Sequence, residues 1–198
     1  MLQAGLHNSR QAFVRITEVS PRDGLQHESE FVPTLRKISL INALSRTGVT
    51  EIEASSFVSP AAIPQLADSD EVLRAIDRIP GVAYSALVPN ERGLERARAA
   101  GVDKIAVFTA ASNSFTRHNI KATVQESLVR FRPIVAAAKR DGMAVRAYLS
   151  TVVFCPYEGR IAPKQVRDVM ERLLDLAVDD ISLGETVGKA SPTDIRRL

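Results

Sequence analysis

The chain has 198 residues, 45% hydrophobic and 25% charged, which is ordinary for a folded globular domain and long enough for a real core. Its formal net charge of +3 reads as a solvated surface, and no Lys/Arg run is interleaved with aromatics, which argues against nucleic acid as a partner. Cys155 is the single cysteine, so an intrachain disulfide and a cysteine-rich zinc site are excluded and a reducing, cytoplasmic setting fits.

Met1 to Gln11 is short and polar, without the apolar stretch of a secretory signal, and no run approaches the roughly 18 apolar residues of a membrane span. Phe13 to Thr17 is the first predicted strand. Leu35, Ile38, Leu40, Ile41 and Leu44 give helical spacing over Pro33 to Ser45, and Gly48 stops that helix. Thr50 to Ser56 is the second strand, followed by a helix over Ala67 to Arg78 that Pro80-Gly81 ends. Val82 to Val88 is the third strand, and Pro89-Asn90 opens a helix through Ala100. Lys104 to Thr109 is a fourth strand, with the continuous apolar centre of a segment buried on both faces. A long helix is expected from about Lys121 to Arg140, bent or split by Pro133. Ala144 to Ser150, a helix over Pro163 to Ala177, and Val178 to Leu183 complete six strands, and Ser191-Pro192-Thr193-Asp194 starts a last helix.

Alternating strands and helices predict a parallel α/β architecture. Periodicity alone does not separate an open doubly wound sheet from a (β/α)8 TIM barrel. No G-x-G-x-x-G or P-loop pattern follows any strand, which weakens the nucleotide-fold alternative.

Chemistry concentrates in Glu18-Val19-Ser20-Pro21-Arg22-Asp23-Gly24-Leu25-Gln26, just after the first strand. A carboxylate there can bind a hard divalent cation, and the neighbouring guanidinium can hold an oxyanion beside it. Taken alone, the same residues make a surface turn with an ion pair. Further polar residues fall at later strand ends: Glu53 to Ser56, Tyr148, Ser150, Glu185 and Thr186. In a barrel those ends form the active-site face.

The first motif, together with Glu53-Ala54-Ser55-Ser56-Phe57-Val58-Ser59-Pro60, Val107 to Ser112, Phe115, Asn119-Ile120, Cys155-Pro156-Tyr157-Glu158-Gly159 and Ile181-Ser182-Leu183-Gly184, resembles the 3-hydroxy-3-methylglutaryl-CoA lyase family. That family belongs to a superfamily of metal-dependent TIM-barrel lyases and Claisen-condensing enzymes. The matches run in order from about Val14 to Pro192. The resemblance implies a TIM barrel, and six strand-helix units against the eight of a closed barrel imply one incomplete barrel domain over residues 1–198, the N-terminal portion of a longer enzyme.

It further implies cleavage of 3-hydroxy-3-methylglutaryl-CoA to acetyl-CoA and acetoacetate, dependent on Mg²⁺ or Mn²⁺, in leucine breakdown, by an enzyme that is commonly a homodimer. Asp23 matches the family's metal-ligand aspartate and Arg22 its catalytic arginine. Glu53 matches a glutamate expected to hold Arg22 or the metal shell. Gln26, Ser56, Tyr148 and Thr186 are the expected substrate contacts, and Glu185 is a catalytic candidate standing where the family shows aspartate. That glutamate is one departure from the family, and the missing metal-ligand histidines and cysteine are the other. The histidines, His7, His27 and His118, form no His-x-His pair of the kind that binds the family's metal, and they read as loop or surface residues. The family's late catalytic cysteine has no counterpart, and Cys155 reads as a structural thiol near the pocket. Two rivals remain open: a related aldolase or Claisen-type synthase, and a catalytically silent fragment. Condensing enzymes show Thr-Leu before the Arg-Asp pair, whereas Ser20-Pro21 stands here.

Overall fold

The computed structural model describes residues 14–198. The expected strand start at Phe13, the polar leader and His7 lie outside them. One sheet holds β1 (Thr17–Glu18), β2 (Glu51–Ser56), β3 (Ala83–Leu87), β4 (Lys104–Ala110), β5 (Ala144–Ser150) and β8 (Asp180–Leu183), all parallel and in that spatial order. β6 (Phe154–Cys155) and β7 (Gly159–Arg160) form a separate small antiparallel hairpin. Each sheet strand lies beside the next one in sequence, with no reversal of order. A doubly wound sheet reverses at its switch point, so the winding is that of a barrel. The six strands and their helices form an incomplete (β/α)8 barrel, and the outer edges of β1 and β8 have no strand partner among the described residues.

The helices are α1 (Thr34–Leu44), α2 (Ser69–Ala75), α3 (Glu91–Ala99), α4 (Asn113–Ile120), α5 (Val124–Arg140), α6 (Pro163–Leu174) and α7 (Pro192–Arg197). The core lies between them and the outer face of the sheet. On β5, Val145, Ala147 and Leu149 are fully buried against the helices, while Arg146, Tyr148 and Ser150 occupy the other, inner face. Val145 and Leu149 each contribute about 1.5–3 kcal/mol by leaving water, and Ala147 less. Strand pleat therefore decides what the barrel interior contains.

Three expectations are corrected. Pro133 does not split its helix: α5 runs unbroken from Val124 to Arg140. Pro133 lies on the exposed face, as does Val129 four residues earlier, so the carbonyl that proline leaves unpaired is open to water. The same helix starts later than Lys121, which is left-handed (φ 54°), because Thr123 and Glu126 form a capping box. Asn113–Ile120, unassigned from sequence, is a separate helix with Ser112 as its N-cap, accepting from the Phe115 amide at 3.1 Å.

At the N-terminal end of the inner face four charges meet. Lys104 Nζ lies 3.1 Å from Glu51 Oε2 and 2.6 Å from Asp180 Oδ2. Arg146 bonds Asp180 Oδ1 through Nε at 2.5 Å and Thr17 Oγ1 through Nη1 at 3.0 Å. Glu51 Oε1 sits 3.0 Å from Arg146 Nη1 without hydrogen-bond alignment. Five of the six sheet strands thus contribute to one nearly neutral polar layer.

Candidate functional site

The Arg22 turn is a single π-helical turn over Ser20–Gly24, with Pro21 buried in its first turn. Asp23 N and Arg22 N both donate to Val19 O, at 2.8 and 3.1 Å, and the wide turn closes where Leu25 N reaches back five residues to Ser20 O. Such turns recur at functional sites because they aim adjacent side chains apart from the regular helical spacing. Glu18 stands just before it, its Oε1 accepting from Ser20 N at 2.7 Å, and this backbone bond holds its carboxyl below the usual range.

Arg22 is the hub. Its Nε donates to Glu53 Oε1 and its Nη1 to Asp23 Oδ1 at 2.5 Å. Tyr148 O–H donates to the other Glu53 oxygen at 2.6 Å, and the Arg22 guanidinium lies 5.5 Å from the Tyr148 ring centre. Glu53 is wholly buried, with both oxygens satisfied. Burial alone would pull the Arg22 pKa down, but the Glu53 and Asp23 charges outweigh it and hold the guanidinium more firmly protonated than usual. Tyr148 is pushed up, first by burial and then by the Glu53 charge and hydrogen bond, so its phenol stays neutral at physiological pH.

A bulge in β2 shifts the pairing from Glu53 with Ser85 to Ser55 with Ala86. Glu53 and Ser56 consequently share the inner face although they are three residues apart. Ser56 is buried, with its hydroxyl 3.4 Å from Leu87 O and accepting from Val58 N at 3.3 Å. Ser55 turns outward to Ser69 Oγ at 2.6 Å. Gln26 is half-buried just beyond the turn. Ser150 lies at the end of β5 beside Gly184, whose Cβ, were there one, would sit 3.5 Å from Ser150 Oγ.

The structure does not bring Glu185 to this cluster. Its Oε2 accepts from Gly188 N and from Lys189 N at 3.2 Å, closing its own loop, while Oε1 is buried without a partner among the described residues. Thr186 is likewise committed: its hydroxyl accepts from Thr151 N at 2.9 Å and donates to Gly184 O at 3.2 Å. Both threonines sit at positive φ, 57° and 59°, a strained conformation for a β-branched residue and one that marks the ends of β5 and β8 as a tightly held junction.

Among the described residues no group of three or more His, Cys, Asp or Glu side chains is placed to hold a metal ion. Asp23, half exposed, is the carboxylate that faces outward beside Arg22. His27 is exposed, with Nδ1 donating to Asp23 O at 2.8 Å, and His118 stacks on the Tyr157 ring at 4.1 Å. Cys155 is buried, its Sγ 3.0 Å from Ser112 Oγ and accepting from Tyr157 N at 3.4 Å.

Sequence reading missed Arg146, directly beneath Tyr148 on the same face of β5. Its signal is a cation at a period-two position inside an otherwise apolar strand. It missed a cleft of about 250 Å³ at the ends of β3 and β4, where Leu87, Phe108, Asn119 and Phe131 meet. It also missed a wider inner cleft of about 620 Å³ lined by Thr17, Val19, Arg146, Tyr148, Asp180 and Ser182.

A family model described as HMGL-like matches residues 13–198. The chain belongs to the HMGL-like family. It is 49% identical over 179 residues to the mitochondrial hydroxymethylglutaryl-CoA lyase of Bos taurus, covering 90% of this chain and 55% of that one. It is 50% identical over 176 residues to the cytoplasmic 3-hydroxy-3-methylglutaryl-CoA lyase of Danio rerio, covering 89% and 52%. Among solved structures, the HMG-CoA lyase of Brucella melitensis superposes with a TM-score of 0.90 at 51% identity, over 92% of this chain and 64% of that one. A lyase from Acinetobacter baumannii, in complex with coenzyme A and 3-methylmalate, does so with a TM-score of 0.89 at 39% identity, over 92% and 60%. The chain therefore spans about half the length of the curated relatives it matches.

Proposed function

We propose that this HMGL-like chain carries the arginine-bearing part of a carbon–carbon lyase that cleaves 3-hydroxy-3-methylglutaryl-CoA to acetyl-CoA and acetoacetate. The observation that carries the reading is the Tyr148–Glu53–Arg22–Asp23 chain at the barrel mouth, in a protein nearly half identical to named lyases. In this cleavage the tertiary hydroxyl loses its proton to a base. The bond to the thioester α-carbon breaks, its electron pair passes into the thioester as an enolate, and the hydroxyl-bearing carbon becomes the ketone of acetoacetate.

Arg22 answers the charge that develops on the thioester oxygen. Two of its nitrogens are held by carboxylates, one of them wholly buried, so its orientation is set before a ligand arrives and Nη2 stays free of protein partners among the described residues. Glu53 and Tyr148 act through Arg22, and Tyr148 keeps the second Glu53 oxygen from seeking another donor. Ser56 and Gln26 border the same mouth and serve as substrate contacts. Thr186 and Glu185, tied into their own junction, shape its rim.

Mg²⁺ or Mn²⁺ belongs to this reading through the family resemblance. A hard cation takes about six oxygen ligands, and the described residues offer it one carboxylate, Asp23, already shared with Arg22. They do not make the cation's site by themselves. That shortfall favours the second reading, a chain that keeps the acyl-CoA surface without turnover of its own. A single barrel domain and a homodimer go with the first reading through the family resemblance, and so does a cytoplasmic location, which some relatives' names carry while others are named mitochondrial.

The test is acetoacetate release from 3-hydroxy-3-methylglutaryl-CoA by the purified chain, with and without Mn²⁺. Metal-dependent turnover, lost in Glu53→Gln, establishes the lyase. Turnover only once the chain is extended to its relatives' length supports the lyase and assigns the missing ligands to the extension. An extended chain that leaves this thioester intact overturns the reading.

A further inference from the structure

Lys37 is a buried cation that the proposed chemistry does not use. It lies on the barrel-facing side of α1 with 3% of its side chain exposed, yet it is fully provided for. Its Nζ donates to Gln65 O and to Asp68 Oδ1 at 2.6 Å, and sits 4.1 Å from the centre of the Phe31 ring. Asp68 Oδ2 accepts from Thr34 Oγ1 at 2.8 Å. Burying an ammonium this deeply is costly without such partners. The partners come from two different loops at the barrel mouth.

Phe31 lies in residues 25–33, which continue from the Arg22 turn. Gln65 and Asp68 lie in residues 57–68, which continue from Ser56. A second strut joins the same loops: Gln65 Nε2 donates to Glu28 O at 2.8 Å. From Glu28 the connection runs back through backbone bonds, Glu28 N to Leu25 O at 3.3 Å and His27 N to Gly24 O at 3.1 Å, and through His27 Nδ1 to Asp23 O at 2.8 Å. The ammonium bonds neither Arg22, Asp23 nor Glu53.

We propose that Lys37 is a positioning residue for the Arg22–Asp23 turn, clamping the loop that follows it to the loop that follows Ser56. The inference rests on the reading of Arg22 as a working group, but its geometry is tested without turnover. The readout is solvent exchange of the Arg22 Nε–H proton, observed by NMR in the 198-residue chain and in Lys37→Met and Gln65→Leu. Lys37→Met keeps the length of the buried stem while removing the charge. Gln65→Leu removes only the strut to Glu28.

In both variants Arg22 Nε–H exchange is expected to accelerate about tenfold, the scale of one lost hydrogen bond to a charged group or strut, while the amides of Val107 and Leu149 keep their rates. Should Lys37→Met fail to fold, Asp68→Asn, which removes the ammonium's charged partner at matched size, takes its place in the comparison. An unchanged Arg22 signal overturns the proposal, as does acceleration only in step with the β4 and β5 amides, which would make the cluster merely structural. Absence of lyase activity in any of these proteins leaves the exchange result as informative as before.

Discussion

Arg22 and Tyr148 share one buried partner, Glu53, which adds to burial in keeping the phenol neutral and acts with Asp23 in keeping the guanidinium charged. The buried carboxylate favours the guanidinium cation on one oxygen and the neutral phenol on the other, so both partners are held in the form that donates. The sign for Tyr148 follows. Its pKa is raised above the ordinary value of about 10, so its bond to Glu53 contributes stability fully present below that pH and lost as pH rises through the raised value. The chain has three tyrosines, at 84, 148 and 157, which makes the claim measurable by near-ultraviolet phenolate absorbance. Tyr148→Phe is expected to remove a component that ionises above the ordinary tyrosine range. Loss of a component within the ordinary range instead would mean that the phenol is not bonded to Glu53. At this scale the sequence showed which strand ends carry polar residues, and Arg22, Glu53 and Tyr148 do converge. It did not show that Thr186 and Glu185 spend their polar atoms locally, because that depends on two positive-φ threonines that no spacing announces.

At the scale of elements, strands were the readable part. β3, β4 and β5 lie within a residue of their expected bounds, β4 because its two largely buried faces demand a continuous apolar run and β5 because buried Val145, Ala147 and Leu149 alternate with Arg146, Tyr148 and Ser150. α4 was not, since Asn, Ser, Thr and His dominate it and helix propensity gives no warning. β1 proved shorter than Phe13 to Thr17 suggests, as Val14 and Ile16 are exposed and unpaired in the sheet. The charged layer across β2, β4, β5 and β8 was equally hidden: Glu51, Lys104 and Asp180 read as residues near strand starts and Arg146 as a lone cation inside its strand until the sheet register brings them together. Lys104→Met is expected to lower stability by about 3–5 kcal/mol, the scale of breaking a buried pair, and Glu51→Leu added to it is expected to restore most of the loss. Urea denaturation of the two variants measures this. Asp180 adds a pH signature. Burial pushes its carboxyl up, but the bonds from Arg146 and Lys104 outweigh burial and hold it low, so its contribution is present above the unfolded value near about 4 and is lost as pH falls through the folded one. The acid limb should accordingly be shallower in Lys104→Met than in the parent chain.

For the molecule as a whole, the open side of the barrel decides behaviour in solution. β1 and β8 leave unpaired edges among the described residues, and the hydrophobic side chains beside them, Ile16 at 65% and Leu183 at 43% exposure, stand in water. Between those edges the interior is reached through the wide cleft in which Arg146, Tyr148 and Asp180 lie. Parallel edge strands with apolar neighbours template further pairing unless charge or proline blunts them, and Ile16 and Leu183 supply neither. The 198-residue chain is therefore expected to self-associate as its concentration rises, with sedimentation velocity showing a growing heavier species. Ile16→Lys combined with Leu183→Lys should shift that association to several-fold higher concentration while leaving the far-ultraviolet spectrum unchanged, because neither side chain belongs to the core between sheet and helices. If the double variant associates as readily as the parent, the contact lies elsewhere on the molecule and the open edges are protected by something other than charge. If it becomes monomeric, the edge that a closed barrel would seal is the surface through which these chains meet.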